Sequence, residues 1–415
     1  MPITVSIKEY DKLHIRKNRD LERHIISETD AAYLQTAIID NSPVFSYGNR
    51  CLIAQHWVGV IELPEYTIEI LPKLYGEVSE DDLRNVLIRM LLVAHQTSAI
   101  RKFQASVSIR KNSLIEMLIE SFLKELLIYV SNGLQHEYKK IERNIDKIKG
   151  RIVFGKQLKA NVTAPTRFYC RYSSYVENNE LNIFFKTCLD EMNRVSRDYQ
   201  NIKMIKEILP FFSDISSVDT ERAQSFIIRF SSVNIRAKDA YTYGKMFLDS
   251  IHATMNSGAA QMYTMLFDMN NLYELFIYRV MNIVFGHRVT YQKMGSYMLK
   301  RNEDGHRYIN LRPDLTYKTD NGELWIIDTK WKIPTGFVRE SDVYQMNAYS
   351  TAIENVSKVI LLYPKVSRTD HIVGYYTLLS AMDVPRPLEI KTINLMNCLD
   401  WKGFLADIKS MFIAA

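Results

Sequence analysis

Short alternating and β-branched runs fill the first 78 positions of the chain. ITVSI near the start, Cys51 to Ala54, Val58 to Leu63 and Tyr66 to Leu71 are separated by Asn-Ser-Pro, Tyr-Gly-Asn and Leu-Pro-Glu turn signals, so residues 1–78 are predicted to form a β-rich N-terminal domain. At Ser79 the period changes. Ser-Glu-Asp-Asp opens the apolar periodic run LRNVLIRMLLVAHQ, and a second such run spans Ser113 to Leu134, which together predict two helices. Residues 79–265 read as a helical and irregular middle region. It holds a highly charged stretch, YKKIERNIDKIKG, then Arg151 to Leu158 and Phe168 to Tyr175, a helix near Asn179 to Val195 and further helical stretches to about 265, with no clean linker.

Residues 266–415 alternate in a different way. A helix over Leu272 to Phe285 precedes strand-like runs at Tyr308 to Tyr317 and Glu323 to Trp331. A helix around Val343 to Glu354 follows, then strands at Lys358 to Tyr363, near His371 to Leu378 and at Leu388 to Asn394, and a closing helix. That order predicts a mixed central sheet flanked by helices, in an α+β multidomain chain.

Composition narrows the function classes. With 415 residues, 47% hydrophobic and 11% aromatic, the chain has material for two or three cores, and a disordered protein is excluded. The 53 Lys and Arg against 47 Asp and Glu leave a net charge of +6, so any contact with nucleic acid rests on local patches. Cys51, Cys170, Cys188 and Cys398 are scattered without Cys-x-x-Cys spacing, which argues against a zinc site or a disulfide framework and for a reducing cytoplasm. The N-terminal residues lack a signal-peptide pattern, and the apolar stretch Val86 to Ala94 is broken by Arg89, so no membrane span is expected.

The segment that carries chemistry is LRPDLTYKTDNGELWIIDTKWK, residues 311–332. It contains Pro313-Asp314 and, fourteen positions after Asp314, Asp328-Thr329-Lys330, the Pro-Asp…Asp-x-Lys pattern of a large nuclease superfamily. Asp320-Asn321-Gly322 between two apolar runs is a hairpin signal. A two-residue loop would put the two aspartates on opposite faces. A three-residue loop with Gly322 in the left-handed position pairs Thr319 with Glu323, and hence Asp314 with Asp328 on one face; that register is the expectation. Lys330 then shares the face of Asp328, because side chains alternate along a strand.

Two close carboxylates repel unless a cation lies between them, so the set favours a hard divalent ion, Mg²⁺ or Mn²⁺, held by Asp314 and Asp328. Such an ion polarises a phosphate oxygen and acidifies a water, while Lys330 orients that water and neutralises developing charge: the chemistry of phosphodiester hydrolysis. Glu274, in the helix MNNLYELFIYRVM, is a candidate third carboxylate for the metal. Gln345 and Tyr349, four apart on one helix face, are candidates to contact the phosphate or brace the lysine. Read singly, each of these residues is as well explained by a surface ion pair or ordinary packing; the joint pattern with the right parity favours a site. Gly150 to Gln157 imitates a phosphate-binding Gly-x4-Gly-Lys loop, but Gln157 replaces the required Ser or Thr and no apolar strand precedes it, so no nucleotide is expected there. Asn161-Val162-Thr163 reads as a chance match to a glycosylation acceptor.

Taken together these segments resemble the McrC family, the nuclease subunits of McrBC-type, modification-dependent (5-methylcytosine) restriction systems. The resemblance rests on RPDLTYKT, LWIIDTKWK, DVYQMNAY at 342–349 and KVILLYP at 358–364. Further upstream it includes MNNLYELF at 269–276, KGRIVFGKQL at 149–158 and CRYSSYVENNELNIFFKTCL at 170–189, and it covers roughly residues 140–415. It implies a C-terminal PD-(D/E)xK nuclease domain with Asp314, Asp328 and Lys330 as its triad and Glu274 and Gln345 as helpers. It implies a separate McrB-like AAA+ GTPase ring that binds the GTP, recognises modified cytosine in double-stranded DNA and translocates it, and whose hydrolysis this chain stimulates. The middle region is then a candidate motor-docking part, with Arg143 and Arg151 in the charged stretch Lys139 to Lys156 candidates to act on a nucleotide site in trans. Lys293, Lys300, Arg301, Arg307, Arg312, Trp331 and Lys332 are candidates for sequence-independent phosphate contacts. Two other functions remain open on sequence alone: a non-catalytic activator of the motor, and a stand-alone nuclease acting on DNA structures.

Overall fold

The computed structural model describes residues 3–413 except 40, 64, 75–77, 97–113, 165, 255–261, 305, 333, 335, 367–368 and 380–384. The chain forms two compact units: residues 1–114 together with 252–415, and residues 115–251. This partition differs from the three consecutive parts expected at 78/79 and 265/266. The stretch expected to stay helical to about 265 contains the strands Ile251–Thr254 and Met262–Asp268, with 255–261 outside the described residues. Met262–Asp268 pairs antiparallel with Trp57–Glu62, which ties the N-terminal strands to the C-terminal part.

The resulting five-stranded sheet runs in the order Ile3–Lys8, Tyr66–Leu71, Trp57–Glu62, Met262–Asp268, Ile251–Thr254. Gly59 permits the join. It takes φ +136, and a Cβ there would meet the Met265 carbonyl oxygen at 2.1 Å. A four-stranded sheet containing Lys12–Ile15 and Cys51–Ala54 completes the β-rich part, which also carries the helix Glu28–Gln35. Ser79 caps the helix Glu80–Ala94, its hydroxyl accepting from the Asp82 amide at 3.1 Å, as the sequence signal anticipates.

Within the same unit a six-stranded mixed sheet has the order Val289–Tyr291, Leu315–Lys318, Leu324–Thr329, Val356–Pro364, Arg386–Ile393, Gly374–Leu378. Leu324–Thr329, Val356–Pro364 and Arg386–Ile393 are mutually parallel, and their apolar runs are buried, as strands covered on both faces require. Met346 and Tyr349 of the helix Glu340–Ala352 pack against Ile326, Val359 and Leu361 of this sheet. The run expected as one strand from Tyr308 to Tyr317 is two. Arg307–Leu311 pairs with Ser296–Lys300 in a separate two-stranded ribbon, and the chain breaks at Arg312-Pro313-Asp314, where proline has no N–H to give a ladder. His371, expected at the start of a strand, lies in a short 3-10 turn, and that strand begins at Gly374.

The second unit combines the helices Leu114–Ser131, Glu180–Val195, Tyr199–Ile208 and Lys238–Ser250 with a three-stranded sheet ordered Glu137–Ile145, Phe168–Val176, Arg151–Ile152. Phe122, Phe184, Phe185 and Phe247 are fully buried in it. Arg143 and Arg151 are exposed on this sheet. Lys156 of the imitation phosphate loop pairs with Glu142 at 2.5 Å, and Gln157 accepts from the Tyr169 amide at 2.5 Å. Asn161 is buried and bonded to Asn144, Gln157 and the Arg167 carbonyl, so the glycosylation match falls on an enclosed side chain. Among the described residues no helix is long and apolar enough to cross a membrane.

Candidate active site

The hairpin Leu315–Lys318 and Leu324–Thr329 has the expected register. Tyr317 pairs with Trp325, the Thr319 amide donates to the Glu323 carbonyl at 2.9 Å, and Gly322 takes φ +84 with its amide donating to the Thr319 carbonyl at 3.0 Å. Continuing the same register by one pair sets Asp314 opposite Asp328.

The two carboxylates are held differently. One oxygen of Asp314, Oδ2, accepts from the Thr329 amide at 2.7 Å and from the Thr329 hydroxyl at 2.8 Å. Asp328 is fully buried, and among the described residues its carboxylate has no hydrogen-bond partner apart from its ion pair with the Lys330 ammonium. Burial, then the charge of Asp314, pushes the Asp328 carboxyl up to about 7; burial also raises Asp314, against the hydrogen bonds from Thr329 and the charges of Lys330 and Arg312. Burial alone would pull Lys330 down, but Asp328 and Asp314 outweigh it and hold the ammonium above its usual range. Taking an unneutralised carboxylate out of water costs several kcal/mol, so a pair this enclosed is stable only with positive charge beside it.

Lys330 is braced from the helix above. Its Nζ donates to Gln345 Oε1 at 3.0 Å, Gln345 Nε2 donates to the Tyr349 hydroxyl at 2.8 Å, and that hydroxyl donates to the Arg312 carbonyl at 3.1 Å. The spacing of four between Gln345 and Tyr349 puts both on one helix face. Burial, followed by the charge of Asp328, raises the Tyr349 phenol.

Glu274, on the helix Met269–Phe285, is half-buried, and its carboxyl is raised by burial and by the charge of Asp314. Its Oε1 accepts from Gln292 Nε2 at 2.6 Å. Among the described residues no group of three or more His, Cys, Asp or Glu side chains is arranged to hold a metal ion. The donors that remain, Asp314 held by Thr329 and the buried Asp328, whose Oδ1 has no hydrogen-bond partner among the described residues, match the one or two carboxylates by which Mg²⁺ is usually held beside substrate phosphates and water.

Gln292 is absent from the sequence-based set. Its backbone amide donates to the Asp314 carbonyl at 2.8 Å, its side chain bridges Glu274 and the Arg312 guanidinium, and it does so at φ +44, unusual for a residue other than glycine. Nothing local marks it; only the pairing of Val289–Tyr291 with Leu315–Lys318 brings it to Asp314. Two expected phosphate contacts are otherwise engaged. Trp331 is buried against Tyr273 and donates to Glu9, and Lys332 is ion-paired with Asp342 at 2.6 Å. Lys293, Lys300, Arg301, Arg307 and Arg312 are exposed.

A family model described as the McrBC 5-methylcytosine restriction system component matches residues 52–364. The chain is similar in fold, at 17% identity and a TM-score of 0.62, to a chain in a refined half-complex from a tetradecameric assembly of Thermococcus gammatolerans McrB AAA+ hexamers with bound McrC; the match covers 99% of this chain and 100% of that one. A chain of the cryo-EM structure of the Thermococcus gammatolerans McrBC complex aligns at 21% identity over 67% of this chain and 87% of that one, with a TM-score of 0.48. None of the curated proteins matches.

Proposed function

Because the chain belongs to the McrBC 5-methylcytosine restriction system component family, we propose that it is the nuclease subunit of a GTP-dependent restriction complex directed at modified cytosine. In this reading it is a metal-dependent endodeoxyribonuclease of the PD-(D/E)xK kind that works with, and stimulates, an McrB-like AAA+ GTPase ring. The solved structure it resembles in fold contains McrB AAA+ hexamers with bound McrC, which supports that partner. GTP belongs to the ring; the substrate is double-stranded DNA.

One observation carries the catalytic reading. Asp314 and Asp328 face each other across a hairpin, and the buried Asp328 carboxylate leaves its oxygens to Lys330 alone. A purely structural hairpin gains nothing from two desolvated like charges. Asp314 and Asp328 would hold a Mg²⁺ or Mn²⁺ ion, with Glu274 electrostatically linked through Asp314. When bound, such an ion neutralises phosphate charge and acidifies water. The chain's own residues do the rest. Thr329 fixes the Asp314 carboxylate, and the Gln345–Tyr349 link aims the Lys330 ammonium, which orients the attacking water and offsets charge developing on the phosphate oxygens. The exposed Arg143 and Arg151 are positioned on the surface of the second unit, where a docking partner has access to them.

The test is cleavage of methylated plasmid DNA with Mg²⁺, the GTPase partner and GTP, comparing the wild type with Asp328→Ala. The reading expects GTP-dependent cutting that the substitution abolishes while stimulation of GTP hydrolysis persists. Stimulation by both proteins with cutting by neither would leave a non-catalytic activator, and cutting indifferent to the partner would leave a stand-alone nuclease.

A further inference from the structure

Between the two residues that flank the carboxylates, Gln292 and Arg312, the chain leaves the sheet and makes the ribbon Ser296–Lys300 and Arg307–Leu311. Its root is fixed, because the Arg312 guanidinium bonds the Gln292 side chain. The rest projects. Tyr297, Met298, Leu299, Tyr308 and Ile309 are all exposed, and among the described residues the two strands pair only with each other. A two-stranded ribbon that joins no larger sheet and keeps apolar side chains in water is marginal, so its exposed face asks for an occupant.

Charge chooses the occupant. Residues 293–312 carry five Lys and Arg against two acids, Glu303 and Asp304. Arg307 lies over the Tyr297 ring at 5.8 Å and Arg301 over Tyr308 at 5.4 Å, which stiffens the cations against the ribbon. Between the ribbon, the Lys318–Leu324 turn and the end of the helix Glu340–Ala352 runs an open groove of about 960 Å³, whose lining includes Lys293, Lys300, Arg307 and Lys318, with Glu354 the one acid among the described residues. A phosphate backbone complements such a groove, and the major groove of B-DNA, about 12 Å wide, admits a two-stranded ribbon.

We propose that this ribbon is a DNA-gripping arm: it lies in the major groove of the duplex beside the cut, while the groove behind it holds one sugar–phosphate backbone. The arm keeps the duplex over Asp314, Asp328 and Lys330 without the AAA+ partner. This rests on the nuclease reading of those residues for its place in the reaction, but the binding itself is separately testable.

The experiment measures binding of a 30-base-pair duplex without modified cytosine (a length of about three helical turns) to the full chain, by fluorescence anisotropy across a salt series, for the wild type and Lys300→Ala/Arg307→Ala. The arm predicts weakening on the order of 10-fold and a log–log salt slope smaller by about 2, one per lost phosphate contact. Methylation of guanine N7, in the major groove, should weaken wild-type binding and leave the variant's residual binding less affected. In the assembled complex with the GTPase partner, the variant should cut methylated DNA more slowly with its stimulation of GTP hydrolysis intact. Unchanged binding and cutting in the variant would overturn the arm and leave the nuclease reading standing. Loss of GTPase stimulation with duplex binding retained would assign the ribbon to a protein partner and also overturn it. If the wild type binds the duplex through the ribbon but neither it nor Asp328→Asn cuts, the arm stands and the nuclease reading falls.

Discussion

The indole N–H of Trp331 donates to Glu9 Oε1 at 2.8 Å, joining residues 322 positions apart. Glu9 follows the first strand of the N-terminal sheet, and Trp331 directly follows Lys330, so the β-rich N-terminal part is built into the wall behind the proposed catalytic lysine. The other Glu9 oxygen accepts from the Lys73 amide at 3.2 Å.

Glu9 also sets a pH dependence. Burial, reinforced by Asp268 and opposed by Trp331 and Lys73, pushes its carboxyl up to about 8. The folded chain therefore keeps a proton there that the unfolded chain releases near the ordinary value of 4.5, so stability from this group is present below about 4.5 and is lost as pH rises toward 8. Glu9→Gln removes the titration. Thermal melts at pH 5, 7 and 9 should show the wild type losing stability relative to Glu9→Gln as pH rises, by a few kcal/mol at most. Parallel pH profiles for the two proteins would exclude the assignment.

Asp328 gives a prediction about metal. If Asp314 and Asp328 hold a divalent ion, Mg²⁺ at about 100 times its dissociation constant should stabilise the DNA-free chain by about 2.7 kcal/mol. Asp328→Asn keeps the side-chain volume and should remove most of that gain while lowering cleavage on the order of 10³-fold. A melting temperature raised equally by Mg²⁺ in both proteins would place the ion elsewhere.

Gly322 tests the hairpin. At φ +84 it occupies a conformation that costs other residues about 1 kcal/mol, and no atom lies within 4 Å of the position a Cβ would take. Gly322→Ala should therefore destabilise by about 1 kcal/mol through the backbone alone, as read by denaturant unfolding. Gly322→Asn, which tolerates that region better, should recover part of the loss. A much larger loss with alanine would mean that the turn is packed rather than open.

The Asp-Asn-Gly turn also explains what sequence could deliver. A local signal of three residues fixed the register of the hairpin, and the register fixed which side chains share a face, so the meeting of Asp314, Asp328 and Lys330 was legible. The contact of Gln345 with Lys330 was within reach because one helix turn links it to Tyr349. Gln292 was not, since its position depends on an antiparallel pairing with a strand more than twenty residues away and on a positive φ that no glycine announces. Trp331 misled for a related reason. An aromatic beside the proposed catalytic lysine reads as a nucleic-acid contact until Glu9 and Tyr273 are seen to enclose it. The two compact units divide the chain differently from three consecutive parts, because Met262–Asp268 crosses back to Trp57–Glu62, a pairing across some two hundred residues that hydrophobic periodicity does not encode.

Gln345 and Tyr349 act on Lys330 as one unit in this structure, since the glutamine amide both accepts from the ammonium and donates to the phenol. Tyr349→Phe leaves the Gln345 amide short of an acceptor and the Arg312 carbonyl short of a donor, a loss of about 1–3 kcal/mol where such groups are buried. Gln345→Ala removes the brace directly. Each change should lower the cleavage rate at saturating DNA on the order of 10-fold, with DNA affinity and GTPase stimulation kept, because neither residue lies on the ribbon or in the second unit. The double variant should be little worse than Gln345→Ala alone, as expected when the phenol works only through the amide. Fully additive losses in this cycle would mean that Tyr349 reaches the substrate by its own route, and the brace would have to be abandoned.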